Sequence, residues 1–139
     1  MLKTTLLHPD ILAAIAGAGH SSKILVADAN YPFSTNDAPN AEIVYLNFSP
    51  GRLKMPEVVE VLHQTVPIES IEVNVPDSGI ESKAVEEVRT IVGDEVPITK
   101  LKRFEFYDAV SSLDLCLIIA TGETRIYSCA LLTIGYIPG

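Results

Sequence analysis

The chain has 139 residues, 47% hydrophobic and 20% charged, and its 18 acidic against 10 basic residues leave a net charge of −8. That length and composition fit one globular domain, residues 1–139, and exclude a disordered chain or a disulfide-stapled mini-protein. An acid surplus with no basic run repels a phosphate backbone, so nucleic acid is not an expected partner.

Met1–Leu7 holds one Lys and a brief apolar stretch, too short for a signal peptide. Pro9 and Asp10 open a predicted helix, Pro9–Ala16, because proline suits a first helical turn whose N–H has no partner anyway. Leu7, Ile11 and Ile15 share one face of it, and Gly17 and Gly19 end it. Lys23–Asp28 reads as a short buried strand, and residues 29–40, with two prolines and three asparagines, as a loop. Glu42–Leu46 is a second strand, followed by a turn at Ser49–Gly51. Met55, Val58, Val59 and Leu62 follow helical spacing, which predicts a helix over Pro56–Gln64. Alternating Ile71, Val73 and Val75 predict a third strand.

Ile80, Ala84, Val88 and Ile91 repeat at helical spacing, so a third helix is predicted over Ile80–Val92. Glu95–Leu101 reads as a strand, Phe104–Ser111 as a short helix, and the unbroken apolar run Leu115–Ala120 as a strand covered on both faces. Thr121-Gly122-Glu123 turns the chain into a last strand, Arg125–Ile134. The alternation predicts a three-layer α/β domain: a largely parallel sheet, helices on both faces, and an antiparallel C-terminal strand paired with its predecessor after that tight turn.

Mean hydropathy is +0.28, high for so acidic a chain. No apolar stretch approaches the roughly 20 residues of a bilayer crossing, so no membrane is expected. The apolar excess predicts subunit interfaces instead. Cys116 and Cys129 both lie in apolar runs outside any CxxC pattern. They read as small buried hydrophobes in a reducing cytoplasm.

No GxGxxG, GxxxxGK[ST], HExxH or GxSxG occurs, so no cofactor and no metal is expected. What remains is polar groups at the ends of elements. His20 stands just before the first strand. Asp28 stands just after its apolar run, at the carboxyl end where ligands of parallel sheets sit, although an Asp there also caps turns well. In the C-terminal third, Arg103-Phe104-Glu105-Phe106-Tyr107 is followed by Thr121-Gly122-Glu123 and Tyr127. The phenylalanines read as helix packing, and Glu123 as a solvated turn residue. Tyr127 has a plain alternative as a core aromatic with one satisfied hydroxyl.

Taken together, LHPDILAAIAGAGH, KILVADANYPF, RFEFYDA and ATGETRIYSCALL resemble the D-ribose pyranase / L-fucose mutarotase family, from Leu7 to Ile137. RFEFY resembles the fucose branch. The resemblance implies an isomerase that interconverts the anomers of a small aldose, L-fucose ahead of D-ribose, without cofactor. A non-catalytic sugar-binding protein of the same fold is the alternative. It implies His20 as proton-transfer group, Tyr127 as substrate contact and second acid/base, and Asp28, Arg103 and Tyr107 as substrate contacts. It also puts Cys129 at a substrate-contacting position where the family carries Asn, and Ser22 where it carries Asp. Cysteine is a weak hydrogen-bond partner, which puts the sugar's identity in question. The implied assembly is a homo-oligomer, a pentameric ring or a decamer of two rings, with sites at subunit interfaces.

Anomer conversion suits this inventory. A base takes the proton of the anomeric hydroxyl, an acid protonates the ring oxygen, and the aldehyde turns and recloses; imidazole can serve either role. A strand over residues 23–28 at about 3.3 Å per residue would hold His20 and Asp28 near 20 Å apart in one chain. The two share a site only if that strand is shorter or if sites form between subunits, and the resemblance implies the second.

Overall fold

The computed structural model describes Met1–Gly139 as a six-stranded sheet between two unequal helical layers. In chain order the elements are α1 (Pro9–Ala16), β1 (Lys23–Ala27), β2 (Glu42–Tyr45), α2 (Met55–His63), β3 (Ile68–Val75), α3 (Lys83–Val92), β4 (Ile98–Lys102), α4 (Arg103–Val110), β5 (Leu115–Ala120) and β6 (Ala130–Ile134). The sheet order is β2-β5-β1-β6-β3-β4. Five strands run one way, and β6 lies antiparallel between β1 and β3. The expected α/β class, with its mostly parallel sheet and antiparallel last strand, is what the fold has.

Strand alternation sorts the core into two. Ile24, Val26, Ile71, Val73, Ala130 and Leu132 face α1, α2 and α3, whose buried stripes include Ile11, Ile15, Val58, Val59, Leu62, Ala84 and Val88. Leu25, Ala27, Ile118, Cys129 and Leu131 face α4 and the loop after β1, against Phe106, Val110, Tyr31 and Ala38. The alternation has the period-two geometry of a pleated strand. Phe106 is fully buried, a burial that contributes about 1.5–3 kcal/mol.

Several local expectations are corrected. The tight turn does not pair β6 with β5, because both edges of β5 already carry parallel strands, β1 and β2. The chain instead wraps over the end of β1 and re-enters on its far side, so residues 125–129 are loop and β6 begins at Ala130. α3 starts at Lys83, since the Ser82 hydroxyl caps it by accepting from the Val85 N–H. Ile80 is left 74% exposed. At α1, the His8 ring accepts from the Ile11 N–H, and Leu6 rather than Leu7 is buried. Phe104 is exposed on α4 while Phe106 packs.

Candidate active site

β1, β3 and β4 run parallel, and their carboxyl ends meet the incoming end of β6 at one edge of the sheet. A cleft of about 220 Å³ opens there. Asp28 comes from the end of β1, Asn74 from the end of β3, Arg103 and Tyr107 from the first turns of α4, and Tyr127 and Cys129 from the approach to β6. The edge is the one at which parallel sheets bind ligands, because the strands diverge into loops that side chains can line.

Asp28 is the anchor. It is 4% exposed, and its carboxylate accepts from the Asn30 N–H (3.0 Å) and the Ser128 N–H (3.1 Å). The Cys129 thiol donates to Asp28 Oδ2 and its sulfur accepts from the Asp28 N–H, both at 3.4 Å. Burial pushes the Asp28 carboxyl above the usual carboxylate range, against the pull of those hydrogen bonds, and the charge of Glu123 adds to the rise. Burial and the neighbouring Asp28 charge likewise hold the Cys129 thiol well above its ordinary value. Cys129 is therefore a protonated donor forming the floor under Asp28, 1% exposed.

Arg103 stands at the rim. Its Nε donates to the Tyr107 hydroxyl at 3.3 Å, and the guanidinium lies 5.2 Å from the Phe104 ring centre and 5.5 Å from that of Tyr107. The Tyr107 ring meets Tyr31 edge-on, and Tyr31 is tied to Asn36 by its hydroxyl. Tyr127 sits in the left-handed region at φ +53°, a conformation that costs a side-chain-bearing residue about 1–2 kcal/mol. The strain swings its ring into the cleft instead of into the β6 ladder, where sequence reading had it.

The loop behind Tyr127 is clamped. Thr121 Oγ1 donates to the Ala27 carbonyl at 2.7 Å, and the Glu123 carbonyl accepts from the Ala29 N–H at 2.8 Å. Gly122 leaves no room for a Cβ, which would fall on the Arg52 carbonyl oxygen. Glu123 is not the solvated turn residue expected. It is 1% exposed and bound by Arg125 through Nη2 at 2.7 Å and Nε at 2.8 Å, and Arg125 reaches on to Glu87. Burial would raise the Glu123 carboxyl, but the Arg125 bonds and charge prevail and hold it below its ordinary value.

His20 is elsewhere. It lies before β1, at the opposite edge of the sheet, where Nε2 meets Glu69 Oε2 at 2.6 Å and the ring packs edge-on against Tyr136. β1 separates it from the cleft by five residues, about 16 Å of extended chain. One copy thus brings together Asp28, Arg103, Tyr107, Tyr127 and Cys129 and leaves His20 outside. Sequence reading missed Asn30, Tyr31 and Asn74 in the cleft. Asn74 could have been found as the one amide in the otherwise apolar end of its strand, Val73-Asn74-Val75. No three His, Cys, Asp or Glu side chains gather as a metal site would need.

The RbsD / FucU transport protein family model matches residues 1–137. The chain is similar to human fucose mutarotase, 27% identical over 143 residues that cover 94% of this chain and 89% of that one. It is also similar to the D-ribose pyranase of Halalkalibacterium halodurans, 26% identical over 99% of both. The fold matches the crystal structure of the Streptococcus pneumoniae fucose mutarotase in complex with L-fucose, with TM-score 0.83 and 27% identity over 99% of this chain and all of that one. It matches the fold of Bacillus subtilis RbsD complexed with D-ribose at TM-score 0.82, with 22% identity over 99% of this chain and all of that one.

Proposed function

This chain belongs to the RbsD / FucU transport protein family, and from that premise we propose that it is a mutarotase interconverting the anomers of a small aldose, L-fucose ahead of D-ribose. The observation that carries the reading is the convergence of Asp28, Arg103, Tyr107 and Tyr127 on one cleft in a chain whose relatives include fucose mutarotases. The Arg103–Tyr107 pair is the feature that favours fucose, and the similarity to a D-ribose pyranase over 99% of both chains keeps ribose as the alternative.

The reaction needs two proton movements. A base removes the proton of the anomeric hydroxyl as the bond from the anomeric carbon to the ring oxygen breaks, and an acid protonates that ring oxygen. Rotation of the aldehyde and the reverse steps then give the other anomer. Each general acid or base contributes about 10²–10⁴-fold, enough for a reaction that already runs in water. His20 is the first proton-transfer group and Tyr127 the second. Asp28, Arg103 and Tyr107 hold the sugar hydroxyls, with Cys129 beneath them.

His20 serves a cleft of a neighbouring copy, since its own lies across the sheet. Exposed apolar side chains flank both partners of such a contact: Phe104 and Ile126 beside the cleft, Tyr136 and Ile137 beyond β6 near His20. A head-to-tail contact of two different surfaces makes a ring when its rotation closes, which is the arrangement of a pentamer or a decamer of two rings. Free Cys116 and Cys129 fit a cytoplasmic setting, and no helix is long and apolar enough to cross a membrane. The second reading, a sugar-binding protein without catalysis, draws on Cys129 and Ser22 in place of the family's Asn and Asp.

The test is magnetisation exchange between anomers by NMR, across fucose, ribose, galactose and rhamnose. Wild type should accelerate exchange for fucose or ribose, and His20→Ala should reduce it at least about 10²-fold. Binding without accelerated exchange would select the second reading. A monomer that exchanges anomers as well after His20→Ala would remove His20 from the mechanism.

A further inference from the structure

We infer that Asn74 is a specificity-determining contact of the cleft, its side-chain amide donating to one hydroxyl oxygen of the bound sugar. The inference rests on reading the cleft as a monosaccharide site. Val73 faces Ala130 across the β3–β6 ladder, so Asn74 and Cys129 form the next pair outward, at the cleft. Asn74 Oδ1 accepts from the Cys129 N–H at 3.0 Å.

That bond fixes the orientation of the amide. A backbone N–H can only donate, so the oxygen must face it and the NH₂ must face the other way. Asn74 is 8% exposed and lines the cleft, yet its two N–H donors meet no protein oxygen. Their polar neighbour is the Cys129 sulfur, a weak acceptor. The one buried side-chain nitrogen or oxygen without a partner is His63 Nδ1, so the Asn74 amide nitrogen is reached from the cleft, where its donors stand open to an oxygen acceptor. A ligand hydroxyl supplies that acceptor.

Asp28 completes the recognition. It flanks Cys129 from the other side, through the 3.4 Å thiol contact, and can only accept when ionised. Asn74 and Asp28 therefore present a donor and an acceptor around one corner of the cleft. A hydroxyl both gives and takes a hydrogen bond, so it fits between them, whereas a hydrogen at that ring carbon satisfies neither. Asn74 thereby selects sugars carrying a hydroxyl at one ring position.

The test compares the affinities of L-fucose, D-ribose and their monodeoxy analogues, by NMR titration, for wild type, Asn74→Asp and Asn74→Ala. Asn74→Asp retains an acceptor for the Cys129 N–H and exchanges the donors for a second carboxylate oxygen near Asp28, so it covers the case in which Asn74→Ala fails to fold. One monodeoxy analogue should bind wild type roughly 2- to 10-fold more weakly than its parent. Asn74→Ala should weaken the parent by a similar factor and leave that analogue unchanged, and Asn74→Asp should weaken the parent at least as much. Equal weakening of every analogue, or no weakening of the parent, overturns the inference. If wild type binds the sugars without exchanging anomers, the mutarotase reading fails and Asn74 is still judged by these affinities. If it binds none of them, the sugar site and the role of Asn74 fall together.

Discussion

Arg125→Ala isolates the clamp that holds the cleft loop. It removes both side-chain bonds to Glu123 and leaves a carboxylate that is 1% exposed without its counter-charge. Breaking a buried ion pair from one side costs about 3–5 kcal/mol. The Arg125 side chain is 30% exposed, so water can partly replace it and the lower value, about 3 kcal/mol, applies. At about 2.1 cal/mol/K per residue, 139 residues unfold with an entropy of about 0.3 kcal/mol/K, which turns that loss into a fall of about 10 °C in Tm. The pH dependence gives the reasoning a second edge. In wild type the folded Glu123 pKa lies below its unfolded value, so its contribution is present at neutral pH and is lost as pH falls through the folded pKa. In the variant burial, the largest influence, is opposed only by the residue-125 N–H and the charge of Lys54, and the folded pKa rises above the unfolded value of about 4.3. The penalty is then absent below that pH, grows as pH rises from it to the new folded pKa, and levels off above. Urea unfolding from about pH 4 to pH 8 should therefore show the deficit largest at neutrality and shrinking toward acid. A Tm change under about 3 °C, or a deficit that does not vary with pH, would refute the argument that Arg125 neutralises a buried charge.

Gly122→Ala should cost at least about 1–3 kcal/mol by denaturant unfolding, because the new Cβ has to displace the Arg52 carbonyl; wild-type stability would mean the Ser49–Leu53 turn gives way freely. Tyr127→Gly should leave the thermal midpoint near that of wild type, since relief of the left-handed backbone offsets the added chain entropy and lost ring contacts, while anomer exchange falls sharply. A large drop in stability with exchange intact would make Tyr127 a packing residue. Cys129→Asn adds an amide on the floor under Asp28 and should change the order of exchange rates among fucose, ribose, galactose and rhamnose; an unchanged order would make Cys129 core alone.

Much of the fold was legible along the chain because periodicity is local. Val58, Val59 and Leu62 recur at the helical interval and line one face of α2, and Ala84 and Val88 do the same for α3. The unbroken apolar run Leu115–Ala120 reads as a strand covered on both faces, and β5 is that strand. Asp28, Arg103, Tyr107 and Tyr127 were legible as polar types, whereas Asn30, Tyr31 and Asn74 were not, and Tyr127 stands in the loop before β6 instead of within the strand. Glu123 was misread because nothing in Thr121-Gly122-Glu123 announces that Arg125 folds back onto it.

By itself, then, the order of amino acids determined the elements, the layer each face turns toward, and an inventory of groups able to hold a sugar. Only the tertiary structure decided which strands are neighbours, because pairing joins residues about a hundred positions apart, such as Val26 with Ala130 and Leu25 with Leu131. Inserting β6 beside β1 carries Tyr127 and Cys129 to Asp28, sets Asn74 opposite them, and leaves His20 beyond the length of a strand, at the other edge of the sheet.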